Sequence, residues 1–128
     1  MSDAPPAELT GVVVAHGELA AALVGSVDGI TGLRGALIPV SNTGCDRDQL
    51  EARVLAAVGT GPCVVFVDMA SGSCMFAVLR RLRAREDVRV VTGVNLAMLL
   101  DFVFHRGRSP ADAAVAARRT GEAAITVA

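Results

Sequence analysis

Lysine is missing from this chain of 128 residues: all twelve basic residues are arginine. A Walker-A phosphate loop needs a lysine at the phosphates, and a pyridoxal enzyme needs one for its Schiff base. Both are excluded. Tryptophan and tyrosine are missing too, leaving Phe66, Phe76, Phe102 and Phe104 as the aromatic side chains. Cysteine is scarce. Cys45, Cys63 and Cys74 are odd in number and contain no C-x-x-C pair, and with only two histidines a zinc site is not expected. The three read as small buried or half-buried thiols, although Cys74, at an expected helix start, could carry a lowered pKa.

Long apolar runs are lacking as well, despite a hydrophobic content of 52%. No stretch of about 18 residues, the length that spans a bilayer, is free of polar interruption. Val12–Val27 contains His16 and Glu18, and Val88–Phe104 contains Arg89, Asn95 and Asp101. The opening Met-Ser-Asp-Ala-Pro-Pro has neither the basic nor the apolar region of a signal peptide. A cytoplasmic protein without membrane insertion is expected. The formal net charge is −1 and no basic tract occurs, which speaks against nucleic acid, because neutralising phosphates takes clustered cations. The length suits one domain, 1–128, with a real core. Residues 1–9 are expected to be flexible.

What is present alternates. Val12–Ala15 is a short β-branched run that reads as a buried strand. Leu19, Leu23, Val27 and Ile30 then recur at helical spacing before Gly29 and Gly32 end the segment. Ala36–Val40 is a second strand, placed at a sheet edge because Pro39 has no N–H to donate. Asp46 and Gln49 form a capping-box variant opening a helix with Leu50, Val54 and Val58 on one face. Cys63–Val67 is the strongest strand signal and suits a central position. The small-residue turn Asp68–Ser73 leads into a helix expected to reach Arg85, with Val78, Leu79 and Leu82 inward. Val88–Val91 is a fourth strand, and Leu96, Leu99, Leu100 and Val103 mark the next helix. Ser109, Pro110 and Asp112 supply the N-cap, N1 and N3 residues of a last helix that Gly121 should end. Ala123, Ile125 and Val127 alternate as a short final strand.

This order implies an α/β fold with a doubly wound, mostly parallel sheet and helices on both faces. Ligand chemistry in such sheets gathers at the carboxyl ends of strands, beside the topological switch point. Two ionisable residues stand there: His16 follows the first strand and Asp68 the third. With strand order 2-1-3-4 these strands are neighbours and the side chains can meet. A carboxylate that holds the proton of one ring nitrogen leaves a free lone pair on the other. Helix starts after Gly17 and near Ser71-Gly72-Ser73 would add amides and positive dipole ends suited to a phosphoryl group. Each residue also has a plain reading. A histidine after a strand is commonly a loop residue, an aspartate before a helix commonly a cap, and Ala70–Ser73 commonly turn chemistry.

Three other uses of the fold fail on the residues. A response-regulator receiver needs an acidic cluster after the first strand and a later lysine, whereas Ala15-His16 stands in the first place and lysine is absent. A flavodoxin needs a hydroxyl-rich phosphate loop there and usually a tryptophan or tyrosine over the flavin. A dinucleotide site needs G-x-G-x-x-G, which Gly11–Gly17 does not supply.

Three stretches carry a family likeness. Gly11-Val-Val-Val-Ala-His16-Gly17 through Leu23 resembles the opening of the mannose/fructose/sorbose-type IIA component of the bacterial phosphoenolpyruvate sugar phosphotransferase system. Asp68 followed by Gly72-Ser73 resembles that family's D-x-x-G-G-S-P-x-N stretch, and Gly93-Val94-Asn95 through Leu100 its G-V-N-x-P-M-L segment. The resemblance implies a phosphoryl carrier, a phosphotransferase with a phosphohistidine intermediate. His16 would accept the group from an HPr-like phosphocarrier, through Nε2, and pass it to a IIB component. Asp68 would hold Nδ1–H, while Gly17, Ser71, Gly72 and Ser73 would surround the phosphoryl oxygens. It implies no metal and no cofactor, and a homodimer whose last, antiparallel strand is exchanged between subunits.

The chain departs from the pattern where Gly-Gly-Ser-Pro-x-Asn becomes Ser71-Gly72-Ser73-Cys74-Met75-Phe76, and where Ala97 replaces a proline. These changes border the site and bear on the choice of partner. One alternative is therefore a regulatory module whose histidine phosphorylation controls a protein partner without sugar transport. A degenerate dimeric scaffold is another, against which the retained His16 and Asp68 speak. Arg80, Arg81, Arg83 and Arg85 read as a solvated helix face or as a dock for an acidic partner. His105 is expected to be exposed near a helix end, without a catalytic role.

Overall fold

A computed structural model describes residues 8–128. Its elements are β1 (Thr10–Ala15), α1 (Leu19–Thr31), β2 (Leu37–Ser41), α2 (Arg47–Val58), β3 (Cys63–Val67), α3 (Ser73–Leu82), β4 (Val88–Thr92), α4 (Leu96–Phe104) and α5 (Pro110–Ala123). The four strands form one parallel sheet in the order β2-β1-β3-β4. β1 and β3 are thus neighbours, and the chain switches direction of winding between them.

Alternation along the strands builds two cores. Val12 and Val14 of β1, with Val65 and Val67 of β3, face α2 and α3, where Leu50, Val54, Cys74 and Val78 close over them. Val13 and Ala15, with Val64 and Phe66, face α1, α4 and α5. Both faces of β1 and β3 are covered, so both read as unbroken apolar runs rather than alternating ones. Phe66 and Phe102 meet edge to face with centroids 5.3 Å apart, a favoured aromatic geometry. Gly11 leaves room for that packing. A Cβ there would lie 2.6 Å from both Phe102 Cε1 and Leu37 Cδ2.

Local signals explain the element starts. Asp46 accepts from the Gln49 amide at 2.8 Å while Gln49 Oε1 accepts from the Asp46 amide at 2.9 Å, completing the capping box of α2. Ser109 caps α5, with Pro110 at its first turn. Gly32 takes the left-handed conformation that ends α1. Pro39 lies on the outer strand β2, where a missing N–H costs no ladder bond inside the sheet.

Several expectations need correction. α1 buries Ala20, Val24 and Val27, whereas Leu19 and Ile30 are exposed. This apolar helix offers two overlapping stripes, and the sheet takes the one with the smaller residues. α3 stops at Leu82 rather than at Arg85. Arg85 instead grips the Asp87 carboxylate with Nε and Nη2, at 3.0 and 2.9 Å, and donates to the carbonyls of Gly59 and Gly61. Its task is to fasten the turn before β3. Gly121 does not end α5. It is buried within the helix because its lack of a side chain admits Met98, whose Cε would lie 2.5 Å from an added Cβ. Residues 124–128 form no strand within the single chain, since α5 runs on through Ala123 and the outer edge of β4 stays unpaired among the described residues. Residues 1–7 of the segment expected to be flexible lie outside the described residues. Leu9, at its end, is buried and exchanges hydrogen bonds with Arg106.

Candidate active site

Parallel pairing brings two distant residues together. Val14 of β1 lies opposite Val67 of β3, so the residues just past these strands, His16 and Asp68, leave the sheet side by side. The Asp68 amide donates to the Val14 carbonyl at 3.3 Å. Asp68 Oδ2 then accepts the His16 amide at 2.9 Å and lies 2.6 Å from His16 Nδ1. One carboxylate oxygen therefore fixes both the backbone and the ring of His16.

The Asp68 side chain is 9% exposed, and the His16 side chain is 41% exposed. Burial alone would push the Asp68 carboxyl up. The hydrogen bonds from the His16 amide and ring outweigh it, so the carboxyl sits below its ordinary range. An ionised carboxylate at 2.6 Å requires the proton on Nδ1, which leaves the Nε2 lone pair free. Nε2 faces α3, with Ser73 Oγ 3.4 Å away. Gly72, the N-cap residue of α3, has φ 95° and no side chain to bond the first amides of that helix. A Cβ at Gly72 would approach His16 Cε1 to 3.6 Å. The uncapped amides and the positive end of α3 thus lie beside the free nitrogen, an arrangement suited to an oxyanion.

Not every expected residue has the same relation to His16. Gly72 and Ser73 are beside it. Ser71 stands exposed on the turn, without a hydrogen bond to His16. The Gly17 amide is already taken by Asn42 Oδ1 at 3.0 Å, and the Gly17 carbonyl accepts from Ser41 Oγ at 2.6 Å. Gly17, with φ 60°, serves as the turn that aims His16. Sequence reading missed Ser41 and Asn42, because only the parallel pairing of β1 with β2 brings the two turns together. It also missed Arg47, whose guanidinium carbon lies 4.8 Å above the Phe76 ring. A cavity of about 410 Å³ opens next to Ser73, walled by Asn42, Leu50, Arg47 and Phe76. Asn95, prominent in the third resembling stretch, is occupied structurally: it caps α4 through the Met98 amide and donates to the Gly121 carbonyl at 3.0 Å.

Donor atoms of His16, Asp68 and Cys74 lie within 4.8 Å of one another. They suit a metal poorly. Ligation would compete with the Asp68–His16 bond, and burial together with the Asp68 charge pushes the Cys74 thiol up to about 11, whereas a metal binds the thiolate. A helix start could lower the Cys74 pKa, and here full burial outweighs it.

The family model described as "PTS system fructose IIA component" matches residues 10–118. A search of curated protein sequences found no match. Among solved structures, the chain is similar to phosphotransferase system component EIIA from Streptococcus agalactiae, with a TM-score of 0.85, 18% identity, and coverage of 93% of this chain and 96% of that one. It is also similar to the mannose/sorbose-specific IIA subunit of the phosphotransferase system from Enterococcus faecalis, with a TM-score of 0.83, 20% identity, and 95% and 96% coverage. A sigma-54 interaction domain protein from Enterococcus faecalis shares the fold at a TM-score of 0.68 and 16% identity, covering 91% of this chain and 93% of that one. These likenesses concern the fold, and the family rests on the match that runs from β1 into α5: the chain belongs to the fructose/mannose-type IIA components of the sugar phosphotransferase system.

Proposed function

We propose that this chain carries a phosphoryl group on His16 Nε2, accepting it from an HPr-like phosphocarrier and passing it to a IIB component. The observation that carries this reading is the 2.6 Å contact that reserves Nδ1 for Asp68 and leaves Nε2 open beside Ser73 and the uncapped start of α3. In acceptance, the Nε2 lone pair attacks phosphorus as the donor's N–P bond breaks, and the electron pair of that bond returns to the donor nitrogen. The Nδ1 proton stays in place. Positive charge that develops on the ring faces the Asp68 carboxylate, and charge on the phosphoryl oxygens faces Ser73 Oγ and the α3 amides. Discharge to the acceptor is the same step in reverse, and neither needs a metal.

Incubation with phosphoenolpyruvate, enzyme I and HPr should yield one acid-labile phosphate per chain. Label that persists in His16→Ala would sink the assignment.

Homodimerisation belongs to the same reading. Residues 124–128 leave α5 with Ile125 and Val127 exposed, near the open edge of β4. Adding such a segment to the partner's edge strand would cover both. Among the described residues no helix is long and apolar enough to cross a membrane, and work in the cytoplasm, without nucleic acid, fits the partners proposed.

A second reading has a specific motive. The Ser71–Phe76 segment, a turn running into the start of α3, departs from the pattern expected of a transport component, and the fold also occurs in a sigma-54 interaction domain protein. As a regulatory module the chain would be phosphorylated on His16 yet discharge poorly to any IIB protein. Rapid discharge to one would rule this out.

A further inference from the structure

Phe76, in the first turn of α3, ends the segment Ser71–Phe76 that departs most from the family pattern, and it is 48% exposed. It forms the shared wall of two depressions. On one side lies the cavity beside Ser73, topped by Arg47. On the other is a groove of about 440 Å³, bounded by Leu79, Arg80, Arg81 and Arg83 and lined by no carboxylate. The surface running from the His16 site over Phe76 is therefore apolar along its middle and basic at its borders.

The arginines differ in how far the fold itself uses them. Arg85 is committed to Asp87 and two carbonyls. Arg80 and Arg81 share one buried carboxylate, Glu51, at 3.0 and 3.9 Å. Among the described residues, Arg47 and Arg83 have no carboxylate within ion-pair distance, and both are exposed. Arg47 also stands at the first position of α2, where the helix dipole disfavours a cation. Stacking on Phe76 holds it there at 4.8 Å. Two acids stand beside it: Asp46, whose carboxylate caps α2 and which also lines the cavity, and Asp48, the next residue of α2. Arg47, Arg80, Arg81 and Arg83 against Glu51, Asp46 and Asp48 leave one positive charge in excess here, on a chain whose net charge is −1, and the groove behind Phe76 is lined by arginines alone among charged residues.

We propose that Arg47, Phe76 and Arg83 form the docking surface for the protein that takes the phosphoryl group from His16, and that this acceptor presents carboxylates around its own reactive residue. The proposal rests on the phosphoryl-carrier reading. An acceptor must bring its reactive atom to Nε2, and the ground it then covers is this one. Phe76 is a departure from the family pattern, so the contact it makes addresses a partner peculiar to this chain, which is the downstream acceptor.

The test starts from protein loaded chemically with phosphoramidate, which bypasses every protein donor. Discharge to a purified IIB protein of the same cell is then followed at sub-saturating acceptor. Arg83→Glu and Arg47→Glu should each slow discharge about tenfold at low ionic strength, with the deficit shrinking as salt is raised. Arg119→Glu, an exposed substitution on α5 across the sheet, serves as the control and should discharge at the wild-type rate. Circular dichroism verifies that each variant is folded.

Equal rates in all proteins, or a wild-type rate independent of salt, would overturn the proposal. So would a deficit already present in phosphoramidate loading, since the arginines would then act on the phosphoryl group itself. A deficit confined to loading from phospho-HPr would assign the surface to the donor, again against the proposal. A wild-type protein that phosphoramidate cannot load at His16 would instead end the carrier reading, and the docking proposal with it.

Discussion

The molecule contains two histidines, and each has an aspartate at Nδ1. His16 meets Asp68 from 52 residues away at 2.6 Å, against a carboxylate buried at the end of β3. His105 closes α4, gives its Nδ1 to the Asp101 carbonyl at 2.8 Å, and lies 3.4 Å from that residue's carboxylate one turn back. Either arrangement leaves Nε2 free. The difference lies in what faces that nitrogen. Beside His16 stand Ser73 and a helix start with no side-chain cap, whereas His105 is at a helix C-terminus, where the dipole is negative and repels a phosphoryl group. A His–Asp pair thus becomes a candidate phosphoryl acceptor through its setting. Sequence spacing displays the local pair, and tertiary pairing builds the candidate one.

The largest expected effect breaks this comparison outright. His16→Ala should abolish acid-labile phosphorylation, while His105→Ala should leave it at the wild-type level in the same HPr-dependent labelling assay. Asp68→Asn comes next. It keeps the shape of the side chain and removes the charge that offsets the developing positive ring, so acceptance should slow by about 10²-fold. Asp101→Asn should change the rate by less than about twofold, because its partner His105 stands at a helix C-terminus with no site for a phosphoryl group. Stopped phosphorylation time courses separate the two.

How much of this was legible beforehand follows from the kind of signal involved. The strands follow from apolar runs, and the edge position of β2 follows from Pro39, whereas the order 2-1-3-4 is a supposition that the parallel pairing bears out. The capping box at Asp46 and the cap at Ser109 are local patterns, so they could be read directly. His16 and Asp68 were placed at strand ends by the same runs, and their meeting needed only that β1 and β3 be neighbours. Asn42, Ser41 and Arg47 were not legible, since they reach the site through the pairing of β1 with β2 and through the stacking of Arg47 on Phe76. Gly121 misled because a glycine admitted for close packing looks the same in sequence as one that ends a helix.

Smaller effects sharpen the comparison. Ser73→Ala removes one hydroxyl from the surroundings of Nε2 and should slow acceptance by about tenfold, the worth of one hydrogen bond to a charged group. Gly11→Ala tests the frame rather than the site. Its methyl group would meet Phe102 and Leu37 at 2.6 Å, and overpacking of this kind costs about 1–3 kcal/mol, read as a lower midpoint in urea. The smallest effect concerns acid. The folded state holds the Asp68 carboxyl below its ordinary range, so this group stabilises the fold at neutral pH. That contribution is lost as pH falls from the unfolded carboxyl value through the lower folded one. Asp68→Asn should therefore flatten the acid limb of the stability profile, whereas Asp101→Asn, compared by thermal melts across the same pH range, provides the reference.

Phosphorus NMR of the protein loaded from phospho-HPr tests the central claim most directly, because it reports which ring nitrogen carries the group. A single phosphoramidate signal from Nε2-phosphohistidine, present in His105→Ala and absent in His16→Ala, is the expected result. A signal from the Nδ1 isomer, or one that survives in His16→Ala, would contradict the role assigned to Asp68 and to the open side of the ring.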